Sequence, residues 1–415
     1  MNKLTGQIIK RFLLIPFALF FLSGCEEEPP VLPGLKFSSL TVVSEPSGAA
    51  VIFNNKNTGK VTPTVIEGLE PGFYKIDLKL GKYIDTTFYT LVARDQQDTM
   101  LLEMRENPSD WWQNWNSSNS PLPMNTINKI IIDPKGDKWM ATNGKGLVKF
   151  DGQAWTVIDR SNSGIPDNYI LDFLIDRNGR IWVATPEGFG RSDNGVWTVY
   201  NRQNSNLPDN YINCLDLDGW GNVWIGTYSA GLVKFDGVTF KVHNTGNSGI
   251  PANRINAIKT DDNGNVYIGT HGEGLVLYSP STDGWIVYNT VTSNIPGMIV
   301  SRIVVDQKND YWVGFTGTVG AVGVAMFNRK AFTNYTPANS GFTGSLVTGI
   351  AASADGKVWV STADAGVSSL QNGKWTRYTT SNSGIKDNSA LSIAIDRDGN
   401  KWIGAGGLNM YVGGK

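Results

Sequence analysis

The chain has 415 residues, 47 of them glycine, and a formal charge of −1 from 36 basic against 37 acidic side chains. Such a weakly acidic protein presents no field for nucleic acid. Beyond residue 24 no amphipathic helical period occurs, and short apolar runs punctuated by Gly, Asn and Asp predict an all-β chain. The first 24 residues read as targeting sequence. Lys3, Lys10 and Arg11 give a positive start, and Phe12 to Leu22 form an apolar run too short to span a membrane as a stable helix.

Leu22-Ser23-Gly24-Cys25 ends that segment and resembles the lipobox of bacterial lipoproteins. The resemblance implies cleavage before Cys25 and lipid on its sulfur and new α-amino group, so that the membrane is met through Cys25 alone. Cleavage removes three basic and no acidic residues, which takes the formal charge to −4. Residues 25–37, with Glu26, Glu27, Glu28, Pro29, Pro30 and Pro33, read as a flexible solvated tether. An acidic run at this place is similar to the surface-export signal of Bacteroidetes-type lipoproteins, which implies the outer membrane or the cell surface.

Residues 38–106 are expected to form a small β-sandwich. Alternation in Leu40 to Val43, Ala50 to Phe53, Tyr74 to Leu80 and Thr87 to Leu91 is broken by Pro and Gly turns. Ser44-Glu45-Pro46-Ser47-Gly48-Ala49, Thr62-Pro63, Gly68 to Gly72 and Gly81-Lys82-Tyr83 together resemble the PEGA domain. Ser47 stands where that family has Glu. The resemblance implies a surface-associated spacer or adhesion module without known catalysis.

From 107 to 415 the chain repeats. One aromatic series is Trp112, Trp155, Trp197, Phe240, Trp285, Phe332 and Trp375; the other is Trp139, Trp182, Trp224, Tyr267, Trp312, Trp359 and Trp402, always 27 residues later. Length varies only in the other half of the repeat. Within the rigid half an Asp recurs at 133, 176, 218, 261, 306 and 396, with Ser353 in the sixth copy, and a Gly or Asn follows three residues on. That pairing marks a hairpin turn, because Gly and Asn accept positive φ and Asp bonds its own backbone, so these Asp residues are read as structural rather than metal-binding.

Each repeat reads as four short strands, a to d, in which one sheet cannot bury both faces alone and must stack on its neighbours. Radial closure of the stack gives a propeller. The region opens with a d strand at Trp112 to Trp115 and ends with a, b and c strands, which predicts a seven-bladed β-propeller with 1+3 strand closure. The recurrent Trp residues are expected between blades, where truncation to Ala would cost roughly 3–5 kcal/mol. Asp218 to Leu232 nearly spells the signature of the two-component regulator propeller repeats, which the region resembles along its whole length. Well-known members of that family are periplasmic oligosaccharide sensors followed by a membrane helix and a histidine kinase. Neither follows here before Lys415, so ligand reading is expected and signalling in cis is not.

The d-to-a and b-to-c loops should share one face of the disc, the a-to-b and c-to-d loops the other. The a-to-b turns are minimal and uniform. Thirteen residues after each first aromatic, at the expected channel mouth, stand Asn125, Asn168, Asn210, Asn253, Met298, Ser345 and Asn388, with Tyr169, Tyr211 and Arg254 beside them and Tyr228 in a b-to-c turn. A ring of amides with Tyr faces suits sugar recognition. The competing reading is that each Asn satisfies loop backbone groups. The fifth b-to-c loop, Phe315 to Gly323, is the longest departure from the repeat and lies on the same face, as binding loops often do.

His243, after a d strand, is expected on the surface, and Cys214, on an inner strand, as a small buried residue without a disulfide partner. His271 and Glu273 fall in the fourth b-to-c loop, too few ligands for a metal site, and no catalytic set or cofactor is expected. Three readings follow: a lipid-anchored protein whose propeller binds an extracellular glycan or other small ligand, a scaffold for an envelope protein partner, and a lyase or hydrolase using His271 and Glu273.

Overall fold

The computed structural model describes residues 38–94, 96–105, 107, 111–317 and 322–413. The targeting segment, Cys25 and the tether lie outside the described residues. The chain divides into two compact units, Met1–Trp111 and Trp112–Lys415.

Among the described residues the first unit has seven strands: β1 (Ser38–Glu45), β2 (Ala50–Phe53), β3 (Lys56–Val61), β4 (Thr64–Leu69), β5 (Gly72–Lys79), β6 (Thr86–Val92) and β7 (Gln97–Glu103). They form sheets ordered β4-β1-β7 and β3-β2-β5-β6, with β1 and β7 parallel. Strict alternation along β1 sends Leu40 and Val42 into a core shared with Val51, Ile76, Leu78 and Val92. Strands β3, β4 and β7 escape the sequence reading because β3 is nearly all polar and exposed while β4 and β7 bury few residues. The resembling strings meet in one clasp. Thr62 Oγ1 lies 2.5 Å from Ser44 Oγ and accepts the Ala49 N–H at 3.0 Å.

Among the described residues the second unit forms seven consecutive four-stranded antiparallel sheets, blades 1 to 7 from Ile127. In blade 3 the strands are Ile212–Leu217, Val223–Thr227, Leu232–Phe235 and Phe240–His243. Blade 7 combines Ser392–Ile395, Lys401–Gly404 and Leu408–Tyr411 with Trp112–Trp115, in the register Leu408↔Trp115 to Tyr411↔Trp112. Inner strands of neighbouring blades are bonded to each other. Asn213 Nδ2 donates to Ile255 O at 2.8 Å, and between the last blade and the first Ser392 Oγ donates to Ile127 O at 2.8 Å. The ion pairs Lys129–Asp172 at 2.5 Å and Lys259–Asp216 at 3.0 Å add cross-links between inner strands.

In five of the seven repeats the second aromatic, buried or half-buried, is pinned to its turn Asp. Trp224, 1% exposed, packs with Ile255, Ile268 and Tyr278 of the next blade. Its Nε1 donates to Asp218 Oδ2 at 3.1 Å, while Asp218 Oδ1 accepts the N–H groups of Trp220 and Asn222 at 3.0 and 2.9 Å. Trp139, Trp182, Trp312 and Trp402 make the same bond to their turn Asp. In blade 6 the Asp is Ser353, and the Trp359 Nε1 is buried without a hydrogen-bond partner.

His243 is not on the surface. It is 4% exposed, with its ring 5.0 Å from Tyr278 and 5.6 Å from Trp285. As the last residue of its d strand it turns inward between two blades, where a flat ring with one polar edge fills aromatic space. Cys214 is buried, and burial raises its thiol pKa well above the ordinary value.

Candidate functional site

Blade geometry decides which residues of the d-to-a face are free to meet a ligand. The glycine that opens each c strand lies so close to the end of the d strand that a Cβ at Gly231 would stand 2.2 Å from His243 O. Its N–H donates to the Asn253 carbonyl at 2.9 Å, and Gly146, Gly366 and Gly407 do the same to Asn168, Asn388 and Asn125. The side chains of this ring are committed too. The amide oxygens of Asn125, Asn168, Asn210, Asn253 and Asn388 each accept the backbone N–H eight residues earlier, those of Ser117, Arg160, Arg202, Thr245 and Thr380, at 2.8–2.9 Å. The Asn recurrence therefore has a loop-latching role, which leaves each amide oxygen its second lone pair and each amide its NH2 group.

The aromatic and cationic neighbours of that ring project outward. Tyr169 is 50%, Tyr211 39% and Tyr228 44% exposed. Tyr211 and Tyr228 are brought together because the b-to-c turn of blade 3 docks on the start of its a strand, Tyr228 N donating to Tyr211 O at 3.0 Å. Their ring centroids are 5.1 Å apart. Asp209 fixes the turn by accepting the backbone and hydroxyl groups of Ser229 at 2.8 and 2.7 Å. From blade 4 the Arg254 guanidinium lies 4.4 Å from the Tyr228 ring centroid, and its Nε is buried without a protein partner. Tyr169 sits apart from this pair, against Gly144 of blade 1.

His271 lies next along the arc. Its N–H donates to Arg254 O at 3.0 Å, and its Nδ1 is 3.3 Å from Asn256 Nδ2, so the tautomer with the proton on Nε2 fits. Burial, then the charge of Arg254, lowers its pKa, leaving the ring neutral at pH 7. Glu273 is exposed, and among the described residues no hydrogen bond or ion pair joins it to His271. No group of three His, Cys, Asp or Glu among the described residues could hold a metal ion. In the long loop of blade 5, residues 318–321 lie outside the described residues; Phe315 and Val322 beside them are buried.

Comparison with known proteins fits the fold. Residues 37–106 match the PEGA domain, and residues 164–187, 206–229 and 249–272 match the two component regulator propeller. No curated protein matches the chain significantly. Among solved structures the chain is similar to the extracellular domain of a hybrid two component system from B. thetaiotaomicron, at 24% identity and TM-score 0.61 over 72% of this chain and 41% of that one. A second such domain from B. thetaiotaomicron is similar at 18% identity and TM-score 0.59, over 72% of this chain and 39% of that one. The chain thus spans less than half of either. Virginiamycin B lyase from Staphylococcus aureus is similar at 14% identity and TM-score 0.55, over 72% of this chain and 97% of that one. At these identities the likeness is one of fold, and with the family matches it gives the conclusion that the chain carries a PEGA domain followed by a β-propeller that contains two component regulator propeller repeats.

Proposed function

We propose that the protein is a lipid-anchored extracytoplasmic binding protein, held at the outer membrane or cell surface through Cys25, whose tyrosine-bearing propeller face recognises an extracellular glycan. The observation that carries the reading is the Tyr211–Tyr228–Arg254 cluster, with Tyr rings 5.1 Å apart and a guanidinium 4.4 Å from one of them. A pyranose offers an apolar face for a phenol ring and hydroxyls for a guanidinium. His271, neutral and one blade further, supplies another donor or acceptor. The extracellular origin of the similar B. thetaiotaomicron domains supports placement outside the cytoplasm, and the Leu22 to Cys25 pattern supports the anchor.

The test is retention on an array of defined glycans. Tyr169→Ala with Tyr211→Ala is expected to abolish retention while the melting temperature holds, since both side chains are at least 39% exposed. Unchanged retention refutes the reading.

A further inference from the structure

On the opposite face of the propeller the structure holds a cavity of about 800 Å³ between the a-to-b turns of blades 2 to 5. The turns are uniform in length but not in chemistry. Two residues after the turn Asp or Ser stand Lys135, Asn178, Trp220, Asn263, Lys308, Asp355 and Asp398. One of these seven is an indole, and it lies on the cavity wall with 67% of its surface exposed.

Trp220 is held rather than loose. Its backbone N–H is bonded to Asp218 Oδ1 at 3.0 Å, and its ring rests on Gly264, the turn glycine of blade 4, so closely that a Cβ there would stand 2.3 Å from the indole Cζ3. A ring seated on the neighbouring backbone has lost most of its rotamer freedom before anything binds, which lowers the entropic cost of stacking. Around it Asn178, Asn263 and Asp262 are exposed turn side chains, and Arg329 enters from a c-to-d turn with its guanidinium 5.6 Å from the Tyr311 ring centroid. Four acidic and four basic side chains line the cavity, so it offers no net charge to a polyanion. Its volume falls within the roughly 300–1,000 Å³ of small-ligand sites.

We propose that this cavity is a second carbohydrate-binding site, taking a neutral oligosaccharide with one pyranose stacked on Trp220 and its hydroxyls bonded by Asn178, Asn263 and Asp262. An aromatic platform ringed by amides that donate and accept and a carboxylate that accepts is the arrangement such a ligand needs. The site is independent of the tyrosine face and would present the propeller to two glycan segments at once.

The full chain is tested on an array carrying neutral and acidic glycans, beside Trp220→Lys, Trp220→Phe and Tyr211→Ala. Lys occupies this turn position at Lys135, so Trp220→Lys is expected to fold with an unchanged melting temperature. A set of neutral glycans should lose at least about tenfold in affinity with Trp220→Lys. They should lose less with Trp220→Phe and nothing with Tyr211→Ala. Neutral-glycan retention indifferent to Trp220→Lys, absent from the wild-type chain, or lost only with Tyr211→Ala overturns the proposal; the last outcome leaves the tyrosine-face reading standing.

Discussion

The bond between the turn Asp and the blade Trp can be removed in one blade and supplied in another. In blade 3 the Asp218 carboxylate accepts four donors: the N–H groups of Trp220 and Asn222, the Trp224 Nε1 and the Asn222 Nδ2. Asp218→Asn keeps the shape but leaves one acceptor oxygen, so one pair of donors loses its partner. Trp224 is 1% exposed and its N–H cannot reach water. One or two orphaned donors at about 1–3 kcal/mol each give a loss of about 2–4 kcal/mol. Blade 6 offers the reverse experiment. Ser353 is 8% exposed and Trp359 Nε1 has no partner, so Ser353→Asp supplies the missing acceptor. The new charge lies near Asp355, whose carboxylate already bonds Lys357 N, and the net gain is expected near 1 kcal/mol. At about 2.1 cal/mol/K per residue over roughly 300 residues, 1 kcal/mol moves the melting temperature by about 1.5 °C. Near-UV circular dichroism on heating, which reports the Trp environments, should therefore show a fall of about 3–6 °C for Asp218→Asn and a rise of about 1–2 °C for Ser353→Asp. The two blades share no partner, so the double variant should show the sum. Shifts of the same sign would refute the reasoning.

His243 gives a pH prediction. Burial first, then Lys241, holds its pKa below the ordinary value of about 6.5, so between that value and the lowered folded one the unfolded chain binds the extra proton. Stability is then complete above about pH 6.5 and falls as the pH drops through that window. His243→Phe should flatten the melting temperature over that range, and a slope unchanged by the substitution counts against the burial account. Gly231→Ala meets His243 O at 2.2 Å with φ at 94° and should lose at least about 3 kcal/mol by urea unfolding. Gly237→Ala, with a similar φ of 101° but nothing within 4 Å, should lose only the backbone strain, about 1–2 kcal/mol.

The repeat was legible because its constraints are local. The Asp with a Gly or Asn three residues on is set by hydrogen bonds within one a-b hairpin, the fixed 27-residue spacing runs from the d strand of one blade to the b strand of the next, and the sheets form where those signals fall. The Asn recurrence was equally visible, but its meaning depended on where the amide oxygen points. That oxygen bonds an N–H only eight residues away, which is the loop-backbone role that the sequence offered beside sugar recognition. His243 was misplaced because its burial comes from Tyr278 and Trp285 of the following blade, contacts that no local pattern announces. Trp220 could have been found: six polar residues and one indole at equivalent turns is a sequence signal, hidden by attention to loop length. The edge strands β3, β4 and β7 lacked the apolar alternation on which the reading relied.

The pairing of Trp112–Trp115 with Leu408–Tyr411 has a consequence in time as well as in space. The outer strand of blade 7 is made first and its partner last, so a growing or translocating chain must carry an unmatched strand edge, with two tryptophans on it, until almost the whole propeller has emerged. Blades 1 to 6 can zip from their own contiguous strands, whereas blade 7 waits. Blade 7 thus cannot be completed before Leu408–Tyr411 is made, and a chain arrested before Leu408 would contain every strand of blades 1 to 6 and a blade 7 that still exposes a sheet edge ready to pair with another molecule.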